Sequence, residues 1–182
     1  MPWIRLPVAA LGAVTAALAV STAPAQADNT VPEVPAPVAQ DGSLSDGQVL
    51  TPFDVQNPAI GRLDPHLLAA IQAAANAAAA EGISMTISSG WRSPEFQQQL
   101  LDQAVQTYGS LAAAREYVQT PQASKHVIGE AVDVGGYGAD DWLIANGPRF
   151  GLCRLYANEL WHFELVADES GNCPPLLPNA AG

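Results

Sequence analysis

The sequence predicts an α+β fold, a small, mostly antiparallel sheet with helices packed on it. Three observations carry that prediction. Helical patterns fill the first part of the folding region, and short strand patterns dominate the rest. The strands are joined by turns, whereas parallel crossovers need a dozen or more residues. The chain has 182 residues and shows no internal repeat, which suits one domain with a real core once the ends are set aside.

The ends read differently from the middle. Arg5, the apolar run at 8–20 and Ala25-Gln26-Ala27 match a signal segment with a small-x-small cleavage site, so residues 1–27 are expected to be removed on export. The alternative is a membrane anchor, but the run is shorter than the roughly 20 residues a span needs. No membrane span is expected after cleavage, and the protein is expected to be secreted or held in the cell envelope. Residues 28–58 are rich in Pro, Ala, Gly, Ser and Asp, and Val31-Pro32-Glu33-Val34-Pro35-Ala36-Pro37 favours an extended polyproline path. They are expected to be a linker, disordered at least to Val49, leaving 59–182 as the domain. Seven basic residues against 18 acidic ones give a formal charge of −11, which argues against nucleic acid or an anionic lipid surface as the partner. A monomer is expected.

Within the domain, Asp64 before Pro65 starts a helix through Leu67, Leu68, Ile71 and the alanines to Ala80, and Gly82 stops it. His66, in its first turn, reads as a surface histidine. Ile83, Met85 and Ile87 alternate with Ser84, Thr86 and Ser88, which predicts a half-buried strand. Gly90 allows a sharp turn after it. Ser93 then caps a helix with Pro94 at its first position, which places Arg92 at a strand-to-helix junction. Ser110 caps another helix over 111–118, and Thr120-Pro121 ends it. Residues 131–134 form a short strand in which Ala131 and Asp133 share a face. A Gly-rich turn leads to a helix at 139–146, broken by Gly147-Pro148. Strands at 152–156 and 161–166 complete the sheet.

Cys153 and Cys173 form an even pair in a chain expected to be exported, which reads as a disulfide rather than two free thiols. The bridge would close a loop of about 20 residues and contribute roughly 3 kcal/mol.

The chemistry concentrates in two stretches. Ser124-Lys125-His126-Val127-Ile128-Gly129-Glu130-Ala131-Val132-Asp133 joins a histidine to an aspartate seven residues on, and Glu159-Leu160-Trp161-His162-Phe163-Glu164 answers it. His126, Asp133 and His162 offer two nitrogens and one carboxylate, leaving a fourth position open on a zinc ion, as catalytic sites do. The spacing alone leaves the bland reading open: a loop histidine, a strand histidine and a strand-end carboxylate. Gly129 would let the loop fold back. Glu159 could serve as a general base if the chain bends at 158–160; on a regular strand it would point away from His162. Glu164 reads as a surface carboxylate. Trp161 packs in the core or lines a pocket wall. Arg92 could hold an oxyanion or a substrate carboxylate, and Ser124 could bond substrate or cap a turn.

Three motifs stand in order: Ser-Gly-Trp-Arg-Ser at 89–93, Ser-x-His-x-x-Gly-x-Ala-x-Asp at 124–133 and Glu-x-Trp-His at 159–162. This order resembles the VanY-type D-alanyl-D-alanine carboxypeptidases, zinc metallopeptidases with the Hedgehog/DD-peptidase fold, over roughly residues 63–166. The resemblance implies that His126, Asp133 and His162 bind Zn2+, that Glu159 is the catalytic base and that Arg92 acts in catalysis and substrate binding. Ser124 and Trp161 are expected to contribute to substrate binding. It also implies a peptidoglycan stem peptide as substrate, with the C-terminal D-alanine removed by a D,D- or L,D-specific reaction. An endopeptidase of the same fold and a non-catalytic wall-binding module are the alternatives. Two departures stand out: the cysteine pair, which the family does not need, and the short region between Asp133 and Glu159.

Overall fold

The structure, a computed structural model, describes residues 39–182. The expected signal segment lies outside the described residues. Five helices and four strands follow in the order α1 (Pro58–Gly61), α2 (Pro65–Ala80), β1 (Thr86–Ser89), α3 (Pro94–Tyr108), α4 (Leu111–Ala114), β2 (Ala131–Gly135), α5 (Ala139–Asn146), a 3-10 turn (Gly147–Phe150), β3 (Leu152–Arg154) and β4 (His162–Leu165). The strands form one sheet in the order β1-β2-β4-β3. Every neighbouring pair in it is antiparallel, as expected of an α+β chain.

Helix α2 starts where its cap says it should. The Asp64 carboxylate accepts from the backbone N–H groups of His66 and Leu67, satisfying donors that a helix start leaves unpaired. Leu67, Ile71, Ala74, Ala75 and Ala78 follow on one face and are buried. The helix ends in a Schellman motif: Gly82 has φ +80 and donates to Ala79, and Ile83 donates to Ala78. This explains why β1 begins at Thr86 rather than at Ile83. The Ile83 N–H is committed to the helix stop and is unavailable to a ladder. Helix α4 is also shorter than its pattern, because after Ala114 the chain tightens into turns, with Tyr117 donating to Ala114 and Glu116 to Ala113.

The segment before α1 differs from expectation. Residues 39–57 are not free of the domain. Leu50 exchanges hydrogen bonds with Ile87 on β1, Leu50 and Asn57 are buried, and residues 39–182 belong to one compact unit. Apolar side chains at Leu44, Leu50 and Pro52 bury against the core, a gain that outweighs the extended bias of the surrounding prolines.

The main core lies between α2, α5 and one face of the sheet, where Val132, Val134, Ile87 and Phe163 meet Leu67, Ile71, Trp142 and Leu143. A smaller apolar cluster of Leu101, Ala104 and Ala114 joins α3 to α4. The other face of β2 and β4 carries polar groups beside Ala131. Register pairs Asp133 with His162 and Ala131 with Glu164, and strand alternation puts all four on that second face. The predicted disulfide is present between Cys153 on β3 and Cys173.

Candidate metal centre

His126, Asp133 and His162 come together on the polar face, each buried, with one ligand atom apiece lying within 4.8 Å of the others. Their positions follow from the local chain. Asp133 and His162 are cross-strand partners in the β2–β4 ladder. His126 stands in the turns before β2, which fold back because Gly129 adopts φ +77 and gives its carbonyl to the Asp64 N–H. A Cβ at Gly129 would lie 2.6 Å from the Arg62 carbonyl, so the position also requires the missing side chain. Gly90 is needed for a related reason: a Cβ there would collide with the Ala59 carbonyl.

Two imidazole nitrogens and one carboxylate oxygen are a donor set that catalytic zinc takes, and both separations that involve Asp133 Oδ1 suit tetrahedral coordination. Two donors held 2.0–2.1 Å from one such ion lie about 3.3 Å apart. His126 Nε2 lies 3.3 Å from Asp133 Oδ1, and His162 Nδ1 lies 3.2 Å from the same oxygen. The far nitrogens are held from behind. His126 Nδ1 is 2.8 Å from the Gly90 carbonyl, and His162 Nε2 is 3.0 Å from Glu164 Oε1. Such contacts fix ring orientation and tautomer at metal sites. Glu164 is therefore no surface carboxylate; it is 3% exposed. The signal was its position two residues after His162, on the same face of a strand.

The charges are strongly coupled. Burial alone would raise the Asp133 carboxyl, but His126, His162 and Arg92 hold it well below the usual carboxylate range. Burial lowers His126, with Arg92 adding to the effect. Burial also opposes a charge on His162, but hydrogen bonds to Asp133 and Glu164 override it and raise its pKa to about 9. The buried site thus favours charge on Asp133 and His162 and disfavours it on His126.

Glu159 stands between turn residues that join β3 to β4, so the chain bends where the expected role needs it to. Its Oε2 lies 3.8 Å from His162 Nδ1, and its Oε1 is buried without a hydrogen-bond partner among the described residues. Burial pushes its pKa up to about 7, an effect that His162 partly offsets. A carboxyl titrating near neutrality beside a cation site is suited to moving protons.

Arg92 reaches the same cleft with its donors largely committed. It donates from Nε to Ser89 Oγ, from Nη1 to Gln97 Oε1 and from Nη2 to Asp133 Oδ2, the last at 2.9 Å. Two of its five N–H groups remain for another partner. Ser124 is buried on the cleft wall, and Trp161 also lines the cleft while 44% exposed, so it belongs to the wall and not to the core. His66 is exposed and stands outside this cleft. Sequence reasoning passed over Tyr156, whose ring centroid is 5.0 Å from that of His162 and whose hydroxyl burial drives up to about 12, and over Gln97, 1% exposed behind Arg92. The cleft has a volume of about 230 Å³.

Comparison with known proteins gives the same picture. Residues 61–169 match the VanY family, described as D-alanyl-D-alanine carboxypeptidase. A curated D-alanyl-D-alanine carboxypeptidase of Enterococcus faecalis (strain ATCC 700802 / V583) is 31% identical over 134 residues, 60% of this chain and 50% of that protein. The chain thus spans about half the length of that relative. A crystal structure of the vancomycin-resistance D,D-pentapeptidase VanY from a VanB-type cassette, a glutamate-to-alanine mutant in complex with Zn(II), superposes with a TM-score of 0.56 at 30% identity, covering 60% of this chain and 75% of that one. The structure of VanYB in complex with D-alanine-D-alanine gives the same TM-score and identity over 60% and 74% of the two chains.

Proposed function

The chain belongs to the VanY D-alanyl-D-alanine carboxypeptidase family, and from that premise we propose that it is a zinc carboxypeptidase that removes the C-terminal D-alanine from peptidoglycan stem peptides outside the cell. The observation that carries the reading is the convergence of three donor atoms within 4.8 Å of one another, beside a buried carboxylate with an unpartnered oxygen. The complex of one relative with Zn(II) and of another with D-alanine-D-alanine supports the choice of metal and substrate.

In this reading His126 Nε2, Asp133 Oδ1 and His162 Nδ1 would hold the ion, which when bound would supply the Lewis acidity that polarises a carbonyl and makes water a competent nucleophile near neutral pH. Glu159 orients that water and takes its proton as the oxygen bonds to the carbonyl carbon. When the C–N bond breaks, Glu159 passes the proton to the departing amine nitrogen of D-alanine. Arg92, fixed by Asp133 and Gln97, directs its two remaining donors at an oxygen of the substrate. Ser124, Tyr156 and Trp161 line the wall that orients the peptide. Export by residues 1–27 brings the enzyme to its substrate.

Release of D-alanine from a synthetic stem pentapeptide by the zinc-loaded protein tests this. Glu159→Gln should lower kcat by roughly 10²–10⁴-fold while zinc content stays at the wild-type level. A folded, zinc-loaded wild type that releases nothing from any stem peptide overturns the proposal.

A further inference from the structure

The segment after β4 does more than end the fold. It is crosslinked to β3 through Cys153–Cys173. It then runs alongside the β3–β4 turn, where the Leu177 N–H donates to Leu155 and the Ala157 N–H donates to Leu177. Tyr156 and Leu177 form a parallel bridge. Three residues on, it crosses to the chain that follows α4. The Ala180 N–H donates to the Glu116 carbonyl, and the Gln119 side chain donates to the Ala180 carbonyl. The segment therefore ties the stretch that carries Tyr156 and Glu159 to the stretch at 116–119, and residues of both line the cleft. Ala180 lines the cleft itself, as do the apolar side chains of Leu100, Tyr117 and Val118.

This strap is also joined to the metal centre. The Gln119 backbone carbonyl accepts from Gln97 Nε2, Gln97 Oε1 accepts from Arg92 Nη1, and Arg92 Nη2 reaches Asp133. Residues 173–180 lie beyond the part of the chain that matches the family, 61–169, so the family chemistry leaves them unexplained.

Resting on the carboxypeptidase reading, we propose that the strap at 173–180 is the size filter of the cleft, with Ala180 limiting the residue released to one about as small as alanine. The geometry gives the reason. The cleft holds about 230 Å³, and Ala180 of the strap lines it together with Leu100, Tyr117 and Val118 and with the groups proposed to react. Enclosed apolar pockets discriminate a single methylene by about 10–200-fold. The disulfide holds the strap in place, so size selection depends on the oxidised pair.

The test compares the zinc-loaded wild type, Ala180→Leu and the double variant Cys153→Ala with Cys173→Ser on acylated peptides ending in D-alanine or D-leucine. The wild type should favour D-alanine by about tenfold or more in kcat/KM, and the double variant should lose most of that preference by gaining activity on D-leucine. Ala180→Leu should raise KM for the D-alanine peptide about tenfold, with the loss in KM rather than kcat and with bound zinc unchanged. A second readout needs no turnover: the rate at which a chelator strips zinc should rise in the double variant. An unchanged preference in both variants, or an unchanged stripping rate, overturns the strap as a filter. Absence of turnover in the wild type would sink the carboxypeptidase reading alone, and the stripping rate would still decide whether the strap closes the cleft.

Discussion

His162 meets two carboxylates through opposite nitrogens of one ring, Asp133 through Nδ1 and Glu164 through Nε2. In the proposed site the second contact fixes which nitrogen keeps its proton and leaves the Nδ1 lone pair for the ion. Glu164→Ala should weaken zinc binding by roughly 10–100-fold, and Glu164→Gln, which keeps an acceptor at that place, should restore part of it. Competition with a chromophoric chelator measures both, and equal affinities in all three proteins would show that the contact does not tune the ion. At this scale the candidate ligands were readable, because imidazole and carboxylate are the chemistry and only three histidines exist in the chain. The supports behind them were not. The spacing of Glu164 two positions after His162 puts both on one strand face, but only the packing of that face decides that the glutamate is buried. Arg92 shows the same limit: its charge was visible, but not its commitment to Asp133 and Gln97.

Asp64 couples two elements. Its side chain caps α2, and its backbone N–H donates to the Gly129 carbonyl, which anchors the loop that carries His126. Asp64→Ala removes the cap alone and should cost about 0.5–2 kcal/mol, read as a lower urea midpoint with an unchanged slope. A midpoint equal to the wild type would mean that water replaces the carboxylate without loss. Elements bounded by a strong cap or breaker were legible in advance: α2 between Asp64 and Gly82, α3 from Ser93, and α5 between the Gly-rich turn and Gly147. Elements decided by competition for one hydrogen bond were not. The start of β1 moved because Ile83 serves the α2 stop, and helix α1, four residues long and capped by Asn57, is too short to leave a periodic signal.

Across the whole molecule, a ligand that binds only the native state stabilises it by mass action. At a free zinc concentration of 100 times Kd the gain is about 2.7 kcal/mol, roughly 5–10 °C in Tm for a domain of this size. Thermal melts with and without zinc measure it. His126→Ala should remove most of the difference, and a zinc shift that survives this substitution would place the ion elsewhere. The α+β class and the antiparallel sheet were readable from helix and strand order. The boundary of the folded unit was not, since Pro-rich composition at 28–58 masks the few apolar residues that dock.

That docking has a practical outcome. Strand β1 is an outer strand of the sheet, and Leu50 occupies the hydrogen-bonding positions of Ile87 on its open side. A chain trimmed to begin at residue 59 would bare those backbone groups next to apolar surface, a template for edge-to-edge self-association. Recombinant versions that start near residue 39 should stay dispersed in solution, and the shorter ones should form concentration-dependent aggregates that light scattering detects.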